Sequence, residues 1–287
     1  MKVLVTGAGG FLGRHLAIDL ARQGFDVLGA YRSAPPAGVA NPVRIDLAVA
    51  DALPAGIEAV VHAAATSAWT GVSTESMARD NVAATRRLIE LASRVGANRF
   101  VFCSSMSAFG DIKSGSVDES TPIADPDAYG MTKLLGEAML SEAAPALSGL
   151  ALRLPAVIGP GAKRNFLAEA ARKMKAGQEV SIFNPDAPFN NAVHCADLAA
   201  LIGGVLRRGW PGYDRLVLGA GGMTTIRGAV ERLRAAMGAS APIVVRRADK
   251  GAFTLDSTRA IRQYGYAPME IGAMLDRYAG EETAAKS

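Results

Sequence analysis

Two side chains with complementary proton chemistry, Tyr129 and Lys133, stand four residues apart in the run Asp127-Ala-Tyr-Gly-Met-Thr-Lys133. That spacing puts both on one face of a helix, one turn apart. A free phenol loses its proton near pH ~10, and a cation close by stabilises the phenolate and lowers that value. The pair can deliver or accept a proton at a substrate oxygen near neutral pH, as hydride chemistry on alcohols and ketones requires. A second chemical feature stands at the N-terminus. Gly7, Gly10 and Gly13 follow the apolar run Lys2-Val-Leu-Val-Thr6 and precede the helical pattern Arg14 to Ala21. A strand, a glycine turn and a helix N-terminus in that order let backbone N–H groups and the positive end of the helix dipole approach a pyrophosphate.

The elements that must position these groups alternate between strand and helix. Strands are predicted at 2–6, 26–31, 43–46, 58–63, 99–103 and 150–154, and helices at 11–23, 74–95 and 128–144, with a short one at 49–52. Ser73 and Thr74 supply a cap for the second long helix. After about residue 160 the pattern shortens: helix 163–176, strands 180–183 and 190–193, then helices 196–208, 224–238 and 270–279. This predicts an α/β fold, a doubly wound parallel Rossmann sheet with a small C-terminal α/β substrate lobe. Residues 1–160 are expected to form the dinucleotide-binding core, and 161–287 mainly the substrate-binding lobe, with segments returning to the core. The tail from Glu281 to Ser287 is expected to fray.

Further motifs occur in order along the chain. Thr6-Gly-Ala-Gly-Gly-Phe-Leu-Gly13 is followed by Asp46-Leu47, Val60-Val-His-Ala-Ala-Ala65, Asn81-Val82 with Thr85, and Ser104-Ser-Met-Ser-Ala-Phe-Gly110. After Tyr129-Gly-Met-Thr-Lys133 come Leu152-Arg-Leu-Pro-Ala-Val-Ile-Gly-Pro-Gly161, Val193-His-Cys-Ala-Asp-Leu198, Asp256-Ser-Thr-Arg-Ala260 and Gly265-Tyr-Ala-Pro268. With these motifs the chain resembles the extended short-chain dehydrogenase/reductases, the NAD-dependent epimerase/dehydratase group, along nearly its whole length. The resemblance implies that Tyr129 exchanges the proton, that Lys133 holds the nicotinamide ribose and lowers the tyrosine pKa, and that Ser105 polarises the substrate oxygen, with Ser104 as the alternative. It implies cofactor contacts from Gly7, Gly10, Phe11, Leu12, Asp46, Leu47, Ala63, Ala64, Ala65, Asn81, Pro155 and Val157, besides the catalytic pair. Substrate contacts are expected from Ser67, Trp69, Ser105, Met106, Asn165 and Asn190. His62 and His194 read as orienting or packing groups, Asp197 as a helix anchor, and no metal site is implied.

The second strand ends in Val27-Leu-Gly-Ala-Tyr-Arg-Ser33, with Tyr31 where an NAD-specific site carries an acid and Arg32 directly after it. A carboxylate there would repel a ribose 2′-phosphate, whereas Arg32 can bind it. Arg14 is expected to reach the same neighbourhood, and NADP is favoured over NAD. Asn190 stands where the family's nucleotide-sugar enzymes carry a diphosphate-clamping Arg. Phe109 replaces a tyrosine, and Met106-Ser107 replaces the acidic pair of the dehydratases. The favoured reading is an oxidoreductase that moves hydride to or from a secondary alcohol or ketone, sugar-like substrates included. A nucleotide-sugar epimerase that retains its cofactor is the alternative, and a non-catalytic redox sensor is a third reading.

At 287 residues the chain can bury a sizeable core, and 49% hydrophobic content with 6% aromatics suits a parallel sheet under Ala/Leu-rich helices. The net charge of +4 comes from dispersed Lys and Arg, which argues against nucleic acid as a partner. No run approaches the ~18 apolar residues of a membrane span. The two cysteines, Cys103 and Cys195, lack metal spacing and suit a reducing, cytoplasmic setting. A small-molecule substrate is the expected partner, with homodimerisation left open.

Overall fold

A computed structural model describes residues 1–67, 71–247 and 251–284. Chain order begins with β1 (Lys2–Thr6), α1 (Phe11–Arg22), β2 (Asp26–Tyr31), β3 (Pro42–Arg44) and β4 (Ala59–His62). There follow α2 (Thr74–Met77), α3 (Ala84–Arg94), β5 (Arg99–Ser105), β6 (Ser116–Val117), α4 (Ala128–Glu142) and β7 (Ser148–Leu154). The second half holds β8 (Ala156–Ile158), α5 (Phe166–Lys175), β9 (Val180–Ile182), β10 (Pro188–Phe189), β11 (Ala192–His194), α6 (Cys195–Arg208) and β12 (Tyr213–Val217). It closes with β13 (Thr224–Thr225), α7 (Ile226–Ala236), β14 (Ile243–Val245), β15 (Thr254–Leu255), α8 (Thr258–Tyr264) and α9 (Ile271–Ala284).

Seven strands form one parallel sheet in the order β12-β7-β5-β4-β1-β2-β3. Near-continuous apolar runs such as Ala59-Val-Val-His62 suit strands covered on both faces. Period-two alternation splits them: Val3, Val5, Val101 and Leu152 pack with Leu16, Leu20, Leu198 and Ile202 of α1 and α6. Leu4, Val60, Phe100 and Phe102 pack on the other face with Leu88, Leu91 and Leu140. The chain runs outward from β1 to β3 and then returns to β4, so the order reverses between β1 and β4. Parallel α/β sheets bind ligands at the carboxyl ends of the strands beside such a reversal. A separate apolar cluster gathers Ile158, Leu167, Met174, Ile182, Phe189, Val230, Leu233, Met274 and Tyr278.

Several expectations need correction. Residues 49–52 form no helix, because Asp46 caps a turn by accepting from Ala48 N at 3.1 Å. The helix expected at 74–95 is broken by a π-helical turn over Ala78–Ala83, although Ser73 does cap its start by accepting from Ser76 N at 3.2 Å. The strand expected at 190–193 is divided into β10 and β11 by Asn190. The edge strand β12 and helix α8 are additions; β12 opens with the half-exposed Tyr213-Asp-Arg215, which reads as polar loop in sequence. Of the tail expected to fray, residues 281–284 continue α9, and 285–287 lie outside the described residues. Glu281 Oε2 lies 3.0 Å from His194 Nε2, and Glu282 pairs with Lys175 and accepts from Gly161 N at 3.2 Å.

Candidate active site

The glycine turn is built by close approach. A Cβ on Gly13 would lie 2.3 Å from the Gly7 carbonyl, so α1 can begin directly on the turn only with glycine there. Above it opens a cavity of about 360 Å3 lined by Gly7, Gly10, Tyr31, Arg32, Asp46, Leu47, Ala63, Ala64, Ala65, Thr66 and Asp80, among others. The cavity sits at the carboxyl ends of β1, β2 and β4 with the N-terminus of α1 at its floor, which fits the diphosphate and adenosine of a dinucleotide. Phe11 and Leu12 open α1; Phe11 packs edge-on to His15 and Leu12 against the core.

Arg32 faces the cavity rim, where it lies 3.2 Å from Asp80. Burial opposes ionisation of Asp80, but hydrogen bonds from Arg79, Arg32 and Thr66 outweigh it and hold the carboxyl below the usual carboxylate range. Sequence reasoning missed Asp80, because a regular α-helix through residues 74–95 gives no sign of the π-turn that brings it here. Arg14 does not join this group. Its guanidinium lies beside the Gly161 turn, 3.9 Å from where a Cβ on that glycine would be, so the expected approach to Arg32 is corrected.

Capped by Asp127, which accepts from Gly130 N at 2.7 Å, α4 carries Tyr129 and Lys133. Lys133 is buried, donates from Nζ to the Cys103 carbonyl at 2.9 Å, and sits 5.5 Å from the centre of the Tyr129 ring. Tyr129 itself is half-buried. A Cβ on Gly130 would fall 2.1 Å from the Ser107 carbonyl, so the first turn of α4 rests directly on the backbone of the short helix Met106–Phe109 that follows Ser105. This contact brings Ser105 and Tyr129 to neighbouring positions. Ser105 Oγ accepts from Ser107 N at 3.1 Å and remains half-buried. Ser104 points to the opposite face of β5 and donates to Glu137 at 2.5 Å, where Glu137 also pairs with the buried Arg153 at 2.7 Å. Ser104 is thus spent on Glu137 of α4, whereas Ser105, at the carboxyl end of β5, bonds within its own turn to Ser107. Met106 packs beside Phe109.

Asn81 is buried and spent on the protein: Oδ1 accepts from Thr66 N at 2.7 Å, and Nδ2 donates to Thr66 O at 2.8 Å and Thr132 Oγ1 at 3.1 Å. Thr132 in turn donates to Tyr129 O at 2.7 Å. Asn81 thereby braces the loop after β4 against the first turn of α4. Ser67 follows on that loop, and Trp69 lies outside the described residues. His62 is buried between Thr6 at 2.6 Å and Thr85 at 2.9 Å; burial, aided by the Lys133 charge, lowers its pKa to about 3. It stays neutral near pH 7. His194 caps α6 through Nδ1, and Asp197 accepts from Met269 N at 2.9 Å.

Two residues expected to contact substrate are hydrogen-bonded to backbone. Asn165 caps α5, accepting from Ala168 N at 2.9 Å and donating to the Val157 carbonyl at 3.0 Å. Asn190 is buried, donating to Leu255 O and accepting from Leu255 N, both at 2.8 Å, so its amide completes a strand-like pair. Pro155 stands half-buried between β7 and β8, and Val157 half-buried within β8. Among the described residues no cluster of His, Cys, Asp or Glu can hold a metal, and no helix is long and apolar enough to cross a membrane.

Residues 3–219 match the model of the NAD dependent epimerase/dehydratase family. The chain belongs to this family. It is an NAD(P)-linked enzyme of the extended short-chain dehydrogenase/reductase type. Its fold is similar to MoeE5 in complex with UDP-glucuronic acid and NAD, with TM-score 0.84, 26% identity and full coverage of both chains. It is 27% identical to UDP-glucose 4-epimerase of Streptomyces lividans over 303 residues, covering 93% of this chain and 91% of that protein. It is 36% identical to 2-alkyl-3-oxoalkanoate reductase of Stenotrophomonas maltophilia (strain K279a) over 188 residues, but that match covers only 60% of this chain and 56% of the other.

Proposed function

We propose that this enzyme is an NADP(H)-dependent reductase or dehydrogenase that interconverts a secondary alcohol and a ketone and releases its cofactor in each turnover. The observation that supports this reading is the fate of the two asparagines expected to face a polyphosphate: Asn165 and Asn190 both spend their amides on backbone, which leaves Lys163 and Arg164, next to Asn165 in sequence, as the groups that would have to hold a nucleotide diphosphate. Bound nicotinamide would supply or accept the hydride. Ser105 donates a hydrogen bond to the substrate oxygen and polarises it, and Tyr129 gives that oxygen its proton or removes it. Lys133, fixed by the Cys103 carbonyl, stabilises the phenolate. Asn81 and Thr132 hold the first turn of α4 in place. In this reading residues 1–160 bind the dinucleotide and 161–287 mainly hold the substrate. Arg32 turns from Asp80 to the 2′-phosphate, and Asp46 and Leu47 face the adenine.

The second reading, an epimerase that retains NAD(P), is favoured by the nucleotide-sugar names of relatives matched over most of their length. Purified protein separates the two. Denaturing it and assaying the supernatant for nicotinamide dinucleotide should give far less than one equivalent; a full equivalent that survives dialysis would favour the epimerase. A redox sensor would bind dinucleotide but turn over no alcohol or ketone. A cytoplasmic location suits its two buried free thiols. A homodimer is part of this proposal, and light scattering tests it.

A further inference from the structure

A second cavity, of about 200 Å3, opens in the C-terminal half, and its wall is aromatic: Phe166, Phe183, Phe189 and Phe253 line it with Ile226 and Asn191, among others. None of its described lining residues carries a charge. Phe166 and Phe183 are 37% and 41% exposed, so large apolar faces stand open toward the cavity mouth. Phe189 holds Phe166 edge-to-face at 6.3 Å. Phe253 packs against the buried cluster of Phe109, Val117, Val217 and Leu255, and Met106, the residue after Ser105, packs against the same cluster. On the described wall, Asn191 Oδ1 is buried without a hydrogen-bond partner.

A diphosphate seated here would lose its water and gain no cation from the described lining residues. An uncharged ring or alkyl chain gains by the same desolvation. An apolar cavity of about 150 Å3 suffices for a benzene ring, so the space matches one ring with a short substituent. We propose that this cavity takes the uncharged aryl or alkyl body of the substrate, making the reaction at Tyr129 the interconversion of a hydrophobic ketone and its secondary alcohol. The carbonyl carbon accepts a hydride from reduced nicotinamide while the carbonyl oxygen takes the Tyr129 proton; oxidation of the alcohol returns both. The assignment rests on the catalytic reading given above.

Calorimetric titration of the NADP⁺-loaded protein with acetophenone tests the cavity without turnover, since both partners are oxidised. Acetophenone should bind, and Phe183→Ser and Phe253→Ser should each weaken it by about tenfold or more. Phe183 is exposed, so its replacement should leave the melting temperature unchanged. UDP-glucose should bind more weakly than acetophenone and be indifferent to Phe183→Ser. Absence of acetophenone binding, equal binding in both variants, or tighter binding of UDP-glucose would each overturn the proposal. Reduction of acetophenone by NADPH, followed in parallel, tests the catalytic reading separately. Binding that depends on Phe183 without hydride transfer removes the catalytic reading and keeps the cavity assignment. Transfer to polar hydroxy-ketones with no acetophenone binding does the reverse.

Discussion

The Arg32 guanidinium lies 3.2 Å from the Asp80 carboxylate, so a cation from the end of β2 is held by an anion from the π-helical turn across the rim of the dinucleotide cavity. The pair neutralises the group that would read a 2′-phosphate, and any phosphate must compete with Asp80 for it.

Cofactor choice should follow that competition. Arg32→Ala is expected to weaken NADP binding by about 1–3 kcal/mol, the range for one lost charge-assisted contact, with NAD affinity little changed. Asp80→Asn should shift preference further toward NADP by removing the competing charge. Titration calorimetry with both cofactors decides the matter; equal losses for NAD and NADP in Arg32→Ala would mean that this side chain reads no phosphate.

Removing the Tyr129 hydroxyl while keeping its ring should strike chemistry alone. Tyr129→Phe is expected to lower turnover by about two to four orders of magnitude, the span for a general acid/base, with cofactor affinity nearly intact. Lys133→Met should reduce both, since the ammonium that supports Tyr129 and the donor to Cys103 are lost together. Steady-state rates with dinucleotide titrations separate these effects, and near-normal turnover in Tyr129→Phe would exclude it from the mechanism.

The legible part of the site was local in sequence. A four-residue spacing and a three-glycine turn fix geometry over one or two helical turns, so Tyr129, Lys133 and the cavity floor could be read directly. Asn165 and Asn190 could not. The Asn190 amide meets a backbone partner 65 residues away at Leu255, and no local pattern reveals that a polar side chain has already been satisfied. Asp80 was hidden by helix geometry, and β12 by the polar half that an edge strand tolerates. The central sheet was legible because strands covered on both faces leave uninterrupted apolar runs; the short strands of the second half leave none.

His62 sets a pH dependence of stability. Its pKa falls from 6.5 unfolded to about 3 folded, so the folded state refuses a proton that the unfolded chain accepts. The stabilisation is complete above pH ~6.5 and is lost as pH falls toward ~3, at about 1.4 kcal/mol per pH unit. Urea unfolding between pH 7 and pH 5 should show this slope, and His62→Asn should flatten it. An equal slope in the variant would place the linkage elsewhere.

The buried pair Arg153–Glu137 holds β7 to α4 one helical turn beyond Lys133. Arg153→Met is expected to cost about 3–5 kcal/mol, because it leaves the buried Glu137 charge without its cation, held only by the Ser104 hydroxyl. The double change Arg153→Met with Glu137→Met should recover much of that loss. Chemical denaturation of the three proteins measures it, and a loss below about 1 kcal/mol in the single variant would show that the carboxylate finds water.

The π-helical turn Ala78–Ala83 works as a phase adjuster. In a helix of 3.6 residues per turn, each residue added or removed rotates everything beyond it by about a quarter of a turn. The face of α3 is fixed by Leu88 and Leu91 against the sheet, so the slack at 78–83 alone sets where Asp80 and Asn81 aim. Shortening that segment by one residue would leave α3 seated and swing both away from the loop after β4. An insertion or deletion of a single codon there is a natural lever for retuning cofactor choice without rebuilding the core.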